Sequence, residues 1–149
     1  MAVVGFTKFE RLFRVAGSVD VDRDDVQRYL DFVNDALYDM LIMAQATARA
    51  NVRDVIDPWD LPLTKGLQDS MHAFERMDED IEIEPILEDL AARPPLDVSL
   101  DDDTQARLPL IFGGISVALA RMFRLIDPEL KLVHTEEWDR AFQLFRVLV

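Results

Sequence analysis

Three sets of residues have types and spacings that could do chemistry. Asp20, Asp22 and Asp24 stand at the separation that opens an EF-hand calcium loop. Such a loop needs Gly at its sixth position and Glu at its twelfth; this chain has Asp25 and Asp31, so helix capping is the favoured reading. His72 and His134 are the two histidines. A zinc site needs at least three convergent ligands, and these two, far apart in sequence, suit a surface or interface role. The runs Asp78-Glu79-Asp80 and Asp101-Asp102-Asp103 carry enough charge for magnesium or phosphoryl chemistry. No Gly-rich phosphate loop or helper lysine accompanies them, so they read as a solvated linker and a helix N-terminus. No Ser/His/Asp order, paired catalytic carboxylates or cofactor fingerprint can be placed. The expectation is a non-enzymatic protein without catalytic residues, metal or cofactor.

The elements that must position these residues are helical. Thr7 and Glu10 form a capping-box pair ahead of Phe9, Leu12, Phe13 and Ala16, and Gly17 is the expected C-cap. Asp22 is the expected cap of a long helix reaching to about residue 51. Its stripe runs Val26, Leu30, Val33, Leu37, Leu41, Ala44, Ala48. Asp57-Pro58 signals a further helix start, with Trp59, Leu63, Leu67, Met71 and Phe74 on one face and Pro62 able to delay or kink it. Residues 76–84 read as an acidic linker. The pattern then repeats: a short helix over residues 85–92 stopped by Pro94-Pro95, a Ser99/Asp102 box before a long apolar segment over 104–126, and a final helix capped by Thr135. Trp59-Asp60 has a counterpart in Trp138-Asp139. Gly113-Gly114 falls mid-helix, where each glycine costs about 1 kcal/mol. Close crossing of the two long helices is the expected reason for them, and Pro109 is expected to bend the same helix.

Composition sets the outer limits. The 149 residues suit one domain, read here as a single unit over 1–149 with halves 1–80 and 81–149. With no cysteine, disulfides, thiolate chemistry and Cys-built zinc sites are excluded. Net charge is −13, divided as −7 and −6 between the halves, so neither is a hidden basic module. Such a chain is repelled by nucleic acid and anionic membranes unless its cations cluster. Residues 1–8 carry no signal-peptide pattern. The longest apolar stretch, residues 108–120, reads as too short and too interrupted to span a bilayer. A cytoplasmic location is the default expectation. The apolar end, residues 142–149, offers a surface for self-association.

Short–long–medium helices, twice, is the histone-fold pattern. Residues 13–17 (FRVAG) resemble the end of the first helix of archaeal histones, and residues 53–60 (RDVIDPWD) resemble their second loop entering the third helix. The whole chain resembles a bacterial family of unknown function with two histone folds in one polypeptide, through residues 53–68 (RDVIDPWDLPLTKGLQ), 113–122 (GGISVALARM) and 134–142 (HTEEWDRAF). The resemblance implies an all-α fold in which the halves clasp as an intramolecular pseudo-dimer. It also implies that Arg53 and Asp60, seven residues apart, form a pair locking the loop onto the helix. The alternative leaves Arg53 in solvent, with Asp60 closing a box on Asp57. The second half lacks that clamp: Leu132 stands seven before Asp139, with Lys131 one off.

DNA-binding archaeal histones place Arg and Lys in the loops and at the start of helix one. Here the first loop holds Asp20 and Asp22, and Asp54 follows Arg53 in the second. The expected function is a protein-interaction module with an unknown protein partner, weak or no DNA binding and no membrane association. The alternative is a nucleoid-associated DNA binder. That alternative requires Lys8, Arg11, Arg14, Arg49 and Lys131, with Arg53, to converge on one face.

Overall fold

The computed structural model describes residues 5–149. Six α-helices hold its core: α1 Phe6–Gly17, α2 Val26–Ala50, α3 Lys65–Glu75, α4 Ile83–Ala91, α5 Asp102–Ile126 and α6 Thr135–Leu148. The long helices have 25 residues each, roughly 37 Å of length at 1.5 Å per residue. The expected stripe of α2 faces inward, with Leu30, Val33, Leu37, Leu41, Ala44 and Ala48 all buried. Of residues 76–84, expected as linker, 76–82 form a turn and irregular chain between α3 and α4, while Ile83 and Glu84 already belong to α4.

Two short parallel pairings join loops from opposite halves. β1 (Val55–Ile56), which follows α2, pairs with β2 (Ser99–Leu100), which precedes α5. At the other end of α2, Asp20 in the loop after α1 bridges to Leu132 in the loop after α5. The backbone bonds are Asp20 N to Lys131 O at 2.6 Å and Val133 N to Asp20 O at 3.0 Å. Each half therefore lends its first loop to the second loop of the other.

These pairings and the packing behind them shift several helix ends from their expected places. Helix α1 begins at Phe6, with Gly5 as its cap and no side-chain cap bond; Thr7 lies inside the first turn. The Phe6 ring packs against Phe9 and under the Arg23 guanidinium, which draws that residue into the helix. Asp22 precedes a single 3₁₀ turn, Arg23–Asp25, and caps nothing with its side chain. Ser99 is taken by the ladder, donating its N–H to Asp54 O, so α5 is capped by Asp101, whose carboxylate accepts from Asp103 N. At α6 the cap is His134, one residue before Thr135, with its N–H bonded to Glu137 Oε1 at 2.9 Å. Residues 58–60 form an isolated 3₁₀ turn, and α3 starts only at Lys65, capped by Thr64.

Gly17, Gly113 and Gly114 serve close approach rather than positive φ. Ser18, not Gly17, adopts the left-handed conformation after α1. A Cβ on Gly17 would lie 2.4 Å from the Ala120 carbonyl oxygen. Gly113 and Gly114 do mark a close crossing, but the partner is α3 and not α2. Added Cβ atoms there would meet the Phe74 ring at 2.3 Å and Met71 Cγ at 2.4 Å. Helix α5 also runs unbroken through Pro109 and both glycines. It is long and apolar enough to cross a membrane by length and composition, and 56% of its most apolar window is buried in the fold, as a core helix must be.

The two tryptophans part company. Trp138 is fully buried among Phe9, Phe13, Tyr29, Phe123 and Phe142. Trp59, expected on the inner face with Leu63 and Leu67, lies outside α3 and is 76% exposed, because the 3₁₀ turn points it away from the helix face. In the aromatic core the Tyr29 hydroxyl donates to Ser116 Oγ, which donates to Phe112 O. Burial pushes the Tyr29 phenol well above its ordinary pKa.

Candidate functional site

The loop between α2 and α3 turns back on itself, and Arg53 is the residue that holds the turn. Its Nη1 donates to Asp60 Oδ2 and Asp57 Oδ2, both at 2.7 Å, and its Nη2 donates to Asp60 Oδ1 at 2.7 Å. Asp60 is buried, and its Oδ2 also accepts the Asp57 N–H at 2.8 Å. Thus Asp60 both closes the box on Asp57 and pairs bidentately with Arg53. The Arg53 guanidinium, aided by the Asp57 N–H, holds the Asp60 carboxyl below the usual carboxylate range against the opposing effect of burial. The next residues of this loop are built into the other half. Ile56 O accepts from Asp101 N at 3.0 Å and from the buried Thr104 hydroxyl at 2.7 Å.

The second half solves the same problem differently. Asp139, without an arginine seven residues before it, is paired by Arg28 from α2, and the Arg28 guanidinium lies over the Phe142 ring. Arg124, in the last turn of α5, donates to the carbonyls of Gly17, Ser18, Pro128 and Leu130. It pins the end of α1 to the loop after α5. Arg28 and Arg124 carry no local sequence signal, since their partners lie far along the chain or are backbone.

The basic residues do not gather into one cluster. Lys8 donates to Asp80 O at 3.1 Å, and Arg11 pairs with Glu79 at 2.7 Å, both on the turn after α3. Arg14 pairs with Asp20 at 3.2 Å beside the 20/132 bridge, where Lys131 supplies a backbone acceptor. Arg49 pairs with Asp97 at 3.3 Å at the opposite end of α2, near Arg53. The two loop pairs are thus separated by roughly the length of α2, about 37 Å. Within each, the arginines are matched by carboxylates of the chain itself.

Among the described residues no three His, Asp or Glu side chains converge as a metal would need. Asp22 precedes the 3₁₀ turn and Asp24 lies within it, and His72 and His134 sit exposed beside Glu75 and Glu137. Shallow clefts do occur. One of about 260 Å³ lies between α2 and α6, lined by Phe32, Met40, Met43, Pro62, Phe145 and Arg146 among others. Another of about 360 Å³ lies along the outer side of α6.

These features define a class: a predominantly helical chain with a two-residue parallel ladder, its short, long and medium helices occurring twice and joined reciprocally through their loops, with arginine clamps at the joints. The chain belongs to the family described as Domain of unknown function (DUF1931), which it matches over residues 9–146. A crystal structure of a Thermus thermophilus protein is similar with a TM-score of 0.95 and 43% identity, covering 99% of each chain. A crystal structure of an Aquifex aeolicus protein shares the fold with a TM-score of 0.81 at 24% identity, covering 100% of this chain and 98% of its own. A curated relative from Aquifex aeolicus (strain VF5), described as an uncharacterized protein, is 28% identical over 127 residues, or 85% of this chain and 74% of that protein.

Proposed function

We propose that this chain is a single-polypeptide histone-type pair that acts as a non-enzymatic protein-interaction module rather than as a DNA-wrapping protein. The architectural half of the reading is supported by the reciprocal loop pairing, Asp20 with Leu132 and Val55–Ile56 with Ser99–Leu100, and by the ion pairs Arg28–Asp139, Arg49–Asp97 and Arg93–Asp35 that cross between the halves. The functional half rests on one observation. The loop arginines that would have to face phosphates are already matched by Asp20, Asp97, Asp57 and Asp60. Binding DNA by counterion release requires free cations; here a phosphate contact by Arg14, Arg49 or Arg53 would first have to break an existing pair in a chain of net charge −13.

A gel-shift titration of generic duplex DNA at about 50 and about 150 mM salt tests the reading, because phosphate-driven binding changes steeply across that range. Weak association confined to the lower salt is expected. Micromolar or tighter binding that survives the higher salt would overturn the module reading in favour of a nucleoid-associated DNA binder.

A further inference from the structure

Helices α2 and α4 pack against each other, and a cleft of about 240 Å³ runs between them. From α2 it takes Gln27, Leu30, Asp31 and Asn34, at i, i+3, i+4 and i+7 and so on one face. From α4 it takes Pro85, Glu88 and Asp89, at i, i+3 and i+4. Leu30 and Pro85 are buried and supply an apolar wall.

The charges here do not balance. No Lys, Arg or His lines the cleft. Arg93 reaches Asp89 at 2.8 Å but is shared with Asp35, also at 2.8 Å. Asp31 is met by the neutral Gln27 amide at 2.7 Å. Among the described residues neither Asp31 nor Glu88 has a cation to pair with. A second, independent observation points to a ligand. Asn34 is only 7% exposed, and among the described residues its side chain makes no hydrogen bond. Its amide is not among the wholly enclosed polar atoms, so it opens through this cleft. A buried amide without a protein partner is a group awaiting one from outside.

We infer that the α2–α4 cleft binds an aliphatic diamine or polyamine. The methylene chain lies along Leu30 and Pro85. One ammonium is held by the Asn34 carbonyl and the Asp31 carboxylate, one turn apart on α2, and the other by Glu88 across the cleft. An ammonium is all donor and no acceptor, which matches walls rich in carboxylate and amide oxygen. A divalent metal fits less well, since among the described residues no three carboxylates converge. A guanidinium prefers two oxygens of one carboxylate in a plane, whereas the acceptors here are spread over two helices. A lysine side chain brings one charge, and two carboxylates are uncompensated. The net charge of −13 raises the local concentration of any such cation. Amine binding here stands whether or not the chain is an interaction module.

Calorimetric titration of the full chain with 1,4-diaminobutane and spermidine at about 50 mM salt tests the site, with amide-shift mapping to locate it. Butylamine, Nα-acetyl-lysine amide and magnesium chloride are the comparison probes. Spermidine is expected to bind with a sub-millimolar Kd, at least about tenfold tighter than any comparison probe, with shifts centred on residues 27–34 and 85–89. Glu88→Gln and Asn34→Leu each weaken it at least about tenfold. Asp39→Asn is the control. It removes the same charge as Glu88→Gln from an exposed position on α2 outside the cleft, and leaves binding unchanged. Circular dichroism checks that each variant keeps its helicity, and the exposed Glu88→Gln keeps the test decisive should Asn34→Leu fail to fold. No binding at about 10 mM amine, equal affinity for a monoamine or magnesium, equal weakening by Asp39→Asn, or full affinity in Glu88→Gln would overturn the inference.

Discussion

Replacing Asp60 removes the centre of the loop clamp, and the structure gives both the size and the pH dependence of the effect. The carboxylate accepts three bonds of 2.7 to 2.8 Å, two from Arg53 and one from the Asp57 N–H. In Asp60→Ala the Asp57 N–H loses its partner, and Arg53 retains Asp57 and the Val55 carbonyl. Bonds to charged groups contribute about 1.5–3 kcal/mol each when considered singly, and these share one anchor and are not additive, so a total loss of about 3 kcal/mol is expected. For a domain of this size that lowers Tm by about 6–12 °C. The pH dependence has a definite sign. Asp60 has a depressed pKa in the folded chain, below its unfolded value near 3.8. Its contribution is therefore fully present above about pH 4 and is lost as pH falls through the lower folded value. In Arg53→Ala the same carboxylate stays buried beside Asp57 with no cation, which raises its pKa. The stability difference between wild type and Arg53→Ala then widens as pH rises from about 4 to about 6. Urea melts of wild type, Arg53→Ala, Asp60→Ala and the double variant across this pH range measure both effects. Additive losses in the cycle, or a difference that does not change with pH, would refute the clamp as the structural anchor of the loop.

The remaining predictions concern packing and architecture. Gly17→Ala destabilises more than Gly113→Ala or Gly114→Ala, because its new methyl meets a backbone carbonyl at 2.4 Å, while theirs first meet the Phe74 ring and Met71 side chain. The mid-helix variants gain about 1 kcal/mol of helix propensity against overpacking costs of about 1–3 kcal/mol, and thermal melts that rank Gly17→Ala mildest would contradict the contact geometry. Expressed separately, residues 1–80 and 81–149 are expected to be largely unfolded and to regain helicity on mixing, since α3 packs on α5 and each loop pairs across the halves. A cooperative melt from either piece alone would count against that interdependence.

The stripe of α2 was readable from spacing alone, since a period of 3.6 residues with no Gly or Pro for 25 positions leaves one solution for which side faces the core. So was the succession of six helices, because turn signals separate the apolar runs. Helix ends were less legible. Thr7, Asp22, Ser99 and Thr135 are all good caps by type, yet aromatic packing, the parallel loop pairings or a neighbouring cap moved each boundary by one to a few residues. Capping preferences amount to about 1 kcal/mol, which a backbone ladder or a buried ring can outweigh. Trp59-Asp60 and Trp138-Asp139 look like repeats of one word, but one tryptophan is in solvent and the other is the centre of the core. The pairings of Arg28 with Asp139 and of Arg124 with four carbonyls, and the fit of Gly113 and Gly114 against α3, join residues tens of positions apart or belong to the backbone. Local pattern fixes which face of a helix is apolar; which other helix covers it, and which charge finds which, is decided only when the two halves are brought together.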